Sequence, residues 1–351
     1  MDEGSRRRNS PNVDSMCSIN GTTGHNDALV RAMNDATRHR GPDATSVWTD
    51  GKVTLGANRL AVIDLSETAN QPMHSPDGRY SIVFNGEIYN FRELRRDLEK
   101  NHVFRTQGDT EVLLALFVRD GVEAFARLNG MFALAIWDRK KEELILARDH
   151  GGIKPLYYRV HEGTLTFSSE VKGILADATI ERKVNREALE SYLRLRYVPE
   201  PFSMIQGIEK LPPASYAIFK LGKLDIHTFY APDLQPLLKL RRDDAEATTR
   251  TLVDASVRRQ LVSDRPIGVF LSGGLDSTIV LDAAIRTGGR PETFSLAFAL
   301  SEHEQAEKFN ADARIAAVTA QHYGTRHQEI TLDESTFVAS LPDAVRFLDQ
   351  P

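Results

Sequence analysis

Cysteine is almost missing from this chain. Cys17 is the only one in 351 residues, so no internal disulfide can form. A lone thiol suits a reducing, cytoplasmic setting. Long apolar runs are missing too: "MFALAIW" (Met131–Trp137) is far too short to span a bilayer, so no membrane partner is expected. There is no cationic excess. The formal net charge of -5 leaves no basic footprint for nucleic acid or an anionic surface. The opening stretch "MDEGSRRRNSPNVDS" carries arginines with no apolar segment behind them, so the pattern of a signal peptide is not met. No internal repeat is visible.

What is present divides the chain. Residues 1–15 are polar and read as a disordered lead. From Met16 to about residue 180 the pattern is α+β and rich in hairpins. "KVTLGANRLAVIDL" and "RYSIVFNGEIYNF" are β-rich. "FRELRRDLEK" and "DTEVLLALFVRDGVEAFARL" carry apolar residues at helical spacing. "GMFALAIWDRKKEELILARD" and "PLYYRVHEGTLTFSSE" each read as two strands around a turn. Residues 181–240 are proline-crowded and read as a connecting segment. From 241 to 351, helices alternate with the short strands "RPIGVFL", "ETFSLAF" and "RHQEITL". That alternation predicts a parallel, doubly wound sheet with only about three strands.

The most specific local signal is "VFLSGGLDST" (Val269–Thr278). A strand, a glycine-rich turn and a helix start place backbone N–H groups and the positive helix end where an anion can sit. The lysine of a Walker A loop is absent. The stretch instead resembles the PP-loop of enzymes that cleave ATP between the α and β phosphates. That resemblance implies that Ser272, Gly273, Gly274 and Ser277 hold pyrophosphate and that Asp276 holds Mg²⁺. The plainer alternative is a glycine turn between strand and helix.

Six further motifs accompany it: "RHRGPDA" (Arg38–Ala44), "NRLAVIDL" (Asn58–Leu65), "FNGEIYNF" (Phe84–Phe91), "QGDTEVLL" (Gln107–Leu114), "LNGMFALAIWD" (Leu128–Asp138) and "RDHGGIKPLYY" (Arg148–Tyr158). With Met16–Cys17 in front of them, the chain resembles the glutamine-hydrolysing asparagine synthetase family. The resemblance implies an α+β N-terminal nucleophile glutaminase domain (an αββα sandwich). A partial α/β parallel-sheet PP-loop ATP pyrophosphatase domain follows it. Cys17 would be the nucleophile, using its own α-amine as base once it is the first residue of the mature chain. An amine of pKa ~7.7–8.0 can exchange protons near neutrality, and an acylated one cannot.

The resemblance also carries roles to individual residues. Asn85 and Gly86 would form the oxyanion hole. Arg59 would pair with the glutamine α-carboxylate and Asp109 with its α-ammonium, and Glu87 and Gly108 would complete the pocket. Leu271 and Phe298 would flank the adenine, and Glu329 would be a general base for ammonia attack. Each position also has a structural reading: "NGE" as a hairpin turn, Arg59 in a surface ion pair, Asp109 as a helix N-cap, Glu329 as an exposed edge residue. The implied substrates are glutamine, aspartate and ATP, with Mg²⁺ as cofactor. The implied assembly is a homodimer.

Three departures qualify the expectation. Ser18 stands where the family has glycine, so its side chain would lie beside the nucleophile and could crowd the pocket. Sixteen residues precede Cys17, and activity requires either a start at Met16 followed by methionine removal or cleavage of the lead. The later acidic loop and lysine of the family's synthetase domain do not occur in these residues, so the chain alone is expected not to make asparagine. His150 and Gly151 also differ from the usual pattern, with no consequence assigned. Two rival readings stay open: a related amidotransferase with another carboxylate acceptor, of the surface-polysaccharide or β-lactam type, and a non-catalytic binding protein or remnant.

Overall fold

The computed structural model of the chain describes residues 16–233, 240–300 and 308–349. The expected lead, residues 1–15, lies outside them. So do residues 234–239 of the expected connection and residues 301–307, which follow the strand read from "ETFSLAF". The chain divides into two compact units, after Ala231.

In chain order the first unit contains β1 (Ser18–Thr23), α1 (Asp27–Ala36), β2 (Ala44–Thr49), β3 (Val53–Arg59), β4 (Met73–His74), β5 (Tyr80–Ile88), α2 (Phe91–Leu98), α3 (Asp109–Asp120), β6 (Gly130–Asp138), β7 (Glu143–Arg148), β8 (Tyr157–His161), β9 (Thr164–Ser168), α4 (Val171–Ile174), α5 (Arg186–Leu195), β10 (Glu209–Lys210), β11 (Ser215–Lys220) and β12 (Lys223–Thr228). Two six-stranded sheets form, in the orders β10-β8-β9-β1-β3-β2 and β12-β11-β7-β6-β5-β4. All their pairings are antiparallel. The expected hairpins are there: β6 and β7 around the charged turn, β8 and β9 around "HEG".

Burial explains the layering. Ile19, Leu55 and Phe167 from one sheet meet Val83, Leu144 and Leu146 from the other in a single buried cluster. Alternate strand residues point to opposite faces, so each sheet has a second apolar face to cover. Helix α1 covers β1, β2 and β3, and α3 lies on β5 with α2 beside it. The result is an αββα sandwich. At its centre β1 and β3 lie against β5, which brings the start of β1 to the residues of β5.

One difference from the sequence reading concerns residues 181–240. Proline content suggests a linker there, but β10 adds to the first sheet, and β11 and β12 extend the second. Ala217 and Phe219 alternate inward as core residues of the same intersheet cluster. The alternation in "SYAIFK" is a strand signal that the neighbouring prolines obscure.

The second unit contains α6 (Arg242–Gln260), β13 (Gly268–Phe270), α7 (Leu275–Arg286), β14 (Glu292–Ala299), α8 (Ala311–Tyr323), β15 (His327–Asp333) and α9 (Glu334–Leu348). Its three strands pair in parallel, in the order β13-β14-β15, as the strand–helix alternation predicts. Leu271, Leu281, Ala316 and Ala320 form its buried cluster. The first helix of that alternation is α6, and no residue of α6 is buried.

Candidate functional site

Cys17 leads directly into β1, and the residue after it is held from the far side. Ser18 is fully buried. Its hydroxyl donates to the Thr37 hydroxyl at 3.0 Å and accepts from Asn58 Nδ2 at 3.0 Å. Asn20 Nδ2 extends this network to Asn34 Oδ1 at 2.9 Å. Ser18 therefore does not crowd Cys17: it is turned into this network and lines no part of the pocket described below.

The Cys17 backbone and thiol each have a partner. Arg40 Nε donates to the Cys17 carbonyl at 3.0 Å, and Arg40 Nη1 donates to Glu170 Oε1 at 3.0 Å. The Leu60 N–H donates to Sγ at 3.3 Å, and Sγ donates to the Leu60 carbonyl at 3.6 Å. Burial pushes the thiol up to about 11; the Leu60 contact opposes this, Glu87 adds to it, and the charges of Lys154 and Arg59 oppose it.

A narrow pocket opens at this thiol. Its walls include Cys17, Arg59, Gly86, Glu87, Gly108 and Asp109, which are dispersed over more than ninety positions of sequence. Leu60, Gln71 and Phe84 also line it. Arg59 is buried rather than in a surface ion pair. Its Nη1 donates to Ser66 O at 2.9 Å and Asn70 Oδ1 at 3.0 Å, and its Nη2 donates to the Asp64 carbonyl. All these acceptors are neutral, so a cation stands in the wall with no carboxylate paired to it among the described residues. Asp109 is the first residue of α3 rather than its cap, and Oδ2 accepts from the Ile88 N–H at 2.8 Å. Glu87 and Asp109 lie close enough that burial and mutual repulsion hold the Glu87 carboxyl well above the usual range. Asp109 is raised as well, chiefly by burial.

Asn85 and Gly86 lie in β5, not in a hairpin turn. Asn85 is 1% exposed, and neither its Nδ2 nor its Oδ1 has a hydrogen-bond partner. An unpaired buried amide costs roughly 1–3 kcal/mol, so its retention needs a reason outside packing. Gly86 has a steric reason: a Cβ there would sit 2.1 Å from the Met131 carbonyl of β6.

Two side chains at this centre carried no role in the sequence reading, although their motifs were visible. Arg40 belongs to "RHRGPDA" and Lys154 to "RDHGGIKPLYY". Both are buried. Burial of a cation cannot be read from a motif, because it depends on strands far apart in sequence. Glu170, which receives Arg40, His39 and Lys172, is the anion that makes burying Arg40 tolerable.

In the second unit, Leu271, Ser272, Gly273 and Gly274 form the turn from β13 into α7, and Asp276 and Ser277 lie in the first turn of α7. The Ser272 N–H reaches Ser277 Oγ at 3.3 Å, and the two hydroxyls lie 3.2 Å apart. Gly273 has φ +73°, and a Cβ there would lie 2.6 Å from the Asp312 carbonyl, so only glycine fits. Gly274 precedes α7, whose first N–H groups are therefore open to an anion. Asp276 is exposed, and one hard-oxygen carboxylate beside open backbone amides fits a Mg²⁺ that also takes phosphate and water ligands. The Leu271 side chain is in the core cluster, which leaves only its backbone for a ligand. Phe298, near the end of β14, is held by Asn310 through both N–H and C=O at 2.8 Å. Glu329 is the third residue of β15 and is exposed; it pairs with Ser295 one step past the row in which β13 ends, not at the strand terminus.

Comparison with known proteins follows the same division. The glutamine amidotransferase domain family matches residues 16–230, and the asparagine synthase family matches residues 248–351. Asparagine synthetase [glutamine-hydrolyzing] 1 of Bacillus subtilis is 35% identical over 94% of this chain and 51% of its own length. Asparagine synthetase [glutamine-hydrolyzing] 3 of the same organism is 34% identical over 96% of the chain and 57% of its own. A protein of Methanocaldococcus jannaschii, provisionally named a glutamine-hydrolysing asparagine synthetase, is 33% identical over 96% of the chain and 68% of its own. The chain thus spans about half the length of the first of these relatives.

Proposed function

Because the chain belongs to the glutamine-hydrolysing asparagine synthetase family, we propose that its first unit hydrolyses glutamine at Cys17 and that its second contributes the ATP site of an amide-forming ligase. One observation carries the glutaminase reading: Cys17, Arg59, Glu87, Gly108 and Asp109 line one pocket. An amino acid offers a carboxylate, an ammonium and a carboxamide. Arg59 offers a cation, Glu87 and Asp109 offer carboxyls that an incoming ammonium would help to ionise, and Cys17 offers a thiol.

The chemistry runs as follows. Cys17 gives its proton to its own free α-amine, and sulfur attacks the glutamine carboxamide carbon. Asn85 Nδ2, which has no other partner, and the Gly86 N–H receive the developing oxyanion. The ammonium of Cys17 protonates the leaving nitrogen, ammonia departs, and water hydrolyses the thioester. With Met16 attached, the Cys17 nitrogen is an amide and cannot act as this base. A thiol at about 11 is then under roughly 0.1% ionised near pH 7.5.

For the second unit the proposal is that ATP activates the aspartate β-carboxylate as an acyl-adenylate, which ammonia converts to asparagine. Ser272, Gly273, Gly274 and Ser277 would hold pyrophosphate, and Asp276 would hold Mg²⁺, whose charge offsets that of the phosphates. Phe298 and the Leu271 backbone would flank the adenine, and Glu329 would take a proton from the attacking ammonia. The setting is cytoplasmic and the assembly a homodimer. No described helix is long and apolar enough to cross a membrane. The first test is glutamine hydrolysis by chains beginning at Cys17 and chains retaining Met16, with the N-terminal residue fixed by intact mass. Glutamate release only from the Cys17 form is expected. Equal release from both forms would refute the role of the α-amine, and release from neither would refute the glutaminase.

A further inference from the structure

Lys154 is the buried charge at this centre that the proposed reaction leaves unused. It is 4% exposed. The loop that carries it is moulded by Asp149, which has no exposure at all. Asp149 accepts the backbone N–H groups of Phe132 at 3.0 Å, Gly151 at 3.0 Å, Ile153 at 2.9 Å and Lys154 at 2.9 Å. Arg148 closes the loop from below by donating to the Lys154 carbonyl at 2.8 Å. The conspicuous part of "RDHGGIKPLYY" thus fixes one side chain in place. That side chain ends in an ammonium whose sole hydrogen-bond partner among the described residues is the thioether of Met16, at 2.9 Å.

A thioether is a weak acceptor, and an ammonium has three donors to satisfy. A buried cation needs an anion or loses its proton. The other cations nearby are already served: Arg40 by Glu170, and Arg59 by the loop carbonyls and Asn70. The charged and titratable groups acting on Lys154 are Arg40, Glu87, Cys17 and Asp149, and those acting on Cys17 are Glu87, Lys154 and Arg59. Asp149 is consumed by its four N–H donors, and Glu87 faces Asp109. Glu87 and the Cys17 sulfur are the groups left to Lys154, and of the two the sulfur belongs to the residue next to Met16, which the Lys154 ammonium already touches.

We propose that Lys154 is a further functional residue of the glutaminase centre: its ammonium is the counter-ion of the Cys17 thiolate, and the Met16 thioether caps that ammonium while residue 16 is attached. The proposal rests on Cys17 being the nucleophile. Its consequence is that removing Met16 does two things at once. It frees the α-amine that takes the thiol proton, and it releases the cation that holds the resulting thiolate. Desolvation keeps the Lys154 ammonium less stable than an ordinary lysine's, so a neighbouring thiolate gains from it and stabilises it in return.

The test uses the full chain and does not need glutamine. Cys17 is the only cysteine, so the rate of iodoacetamide alkylation at Cys17, followed by mass mapping of the peptide that carries it from pH 7 to 10, reports this thiol. Lys154→Met should slow alkylation at pH 8 by about tenfold, the effect of moving the thiol midpoint up by one pH unit. Lys154→Arg should restore most of the rate, and Met16→Leu should raise it. Identical pH–rate profiles for Lys154→Met and the parent chain would overturn the proposal and leave Lys154 a space-filler. Should Lys154→Met fail to fold, Met16→Leu decides: an unchanged rate overturns the proposal and a faster one upholds it. Failure of the glutaminase reading would show separately, as no glutamate from a chain beginning at Cys17.

Discussion

Replacing Asn85 by leucine should separate stability from activity. The side chain is 1% exposed, and both its polar atoms lack partners in the folded chain. In the unfolded chain water satisfies both, so folding carries a desolvation cost of roughly 1–3 kcal/mol that no hydrogen bond returns. Leucine has nearly the same shape and no such cost. Asn85→Leu should therefore leave the first unit as stable as before or more stable by about 1 kcal/mol, the low end of that range after allowing for imperfect packing. The same change removes one of the two proposed oxyanion donors, which should lower kcat by about 100- to 1000-fold. Both tryptophans, Trp48 and Trp137, lie in the first unit, so urea unfolding followed by tryptophan fluorescence reads that unit selectively. Glutamate release by the chain beginning at Cys17 gives kcat. A variant destabilised by more than about 2 kcal/mol that keeps kcat within a factor of three would refute the reasoning. The amide would then be a structural group whose partners are waters.

Further expectations concern charge and backbone. Burial alone would push the Glu170 carboxyl up, but hydrogen bonds from His39 and Lys172 and the charge of Arg40 outweigh it and hold it at about 2. A depression from an ordinary 4.5 corresponds to roughly 3 kcal/mol as an upper bound, present above pH 4.5 and lost as pH falls toward 2. Glu170→Gln should remove that acid-side slope and destabilise the first unit, as read by urea midpoints between pH 3 and 7. Glu87 and Asp109 are raised instead, so the folded chain should lose stability as pH rises through their titration. Glu87→Gln should flatten that loss, while the KM for glutamine rises at least tenfold, a loss of about 1.4 kcal/mol or more. Gly273→Ala should abolish ATP binding measured by calorimetry, because its Cβ would lie 2.6 Å from the Asp312 carbonyl at a φ of +73°. Unchanged ATP affinity in that variant would remove the phosphate loop from the proposal.

Periodicity made much of the architecture legible. The hairpins β6–β7 and β8–β9 and the parallel sheet of the second unit follow from alternation and spacing. The β10–β12 region was obscured because prolines at 199, 201, 212 and 213 mark it as irregular, while its strand signal is one six-residue alternation. The candidate pocket was legible through motifs, because Arg59, the "NGE" segment and "GD" carry distinctive residues at the ends or starts of elements. Lys154 and Arg40 were not assigned, because what sets them apart is burial beside Cys17, a property of the assembled sandwich. Glu329 shows the reverse limit: a carboxylate on a recognised strand, whose depth along that strand only the register defines.

The placing of Ser18 shows how the first unit keeps a strained chemistry on a stable frame. The hydroxyl and amide network of Ser18, Asn20, Asn34, Thr37 and Asn58 is fully hydrogen-bonded and sits between β1, β3 and the α1 region. Arg40 adds a charge-assisted grip on the Cys17 carbonyl. These bonds fix the main chain at Cys17 from one side. On the other side lie an unpartnered amide at Asn85, a cation at Lys154 served only by sulfur, and two carboxyls pushed above their usual range. Each of those is costly as it stands, and in the proposed reaction the amide would meet the oxyanion, the cation the Cys17 thiolate, and the carboxyls the glutamine ammonium. Substrate binding then gains free energy from groups that already stand in place, and little main-chain reorganisation is required when charge develops. A glycine at position 18 would remove one anchor from that frame without opening the pocket. Ser18→Gly should thus cost stability, not improve glutamine affinity, and a lower KM in that variant would contradict the assignment of Ser18 to the frame.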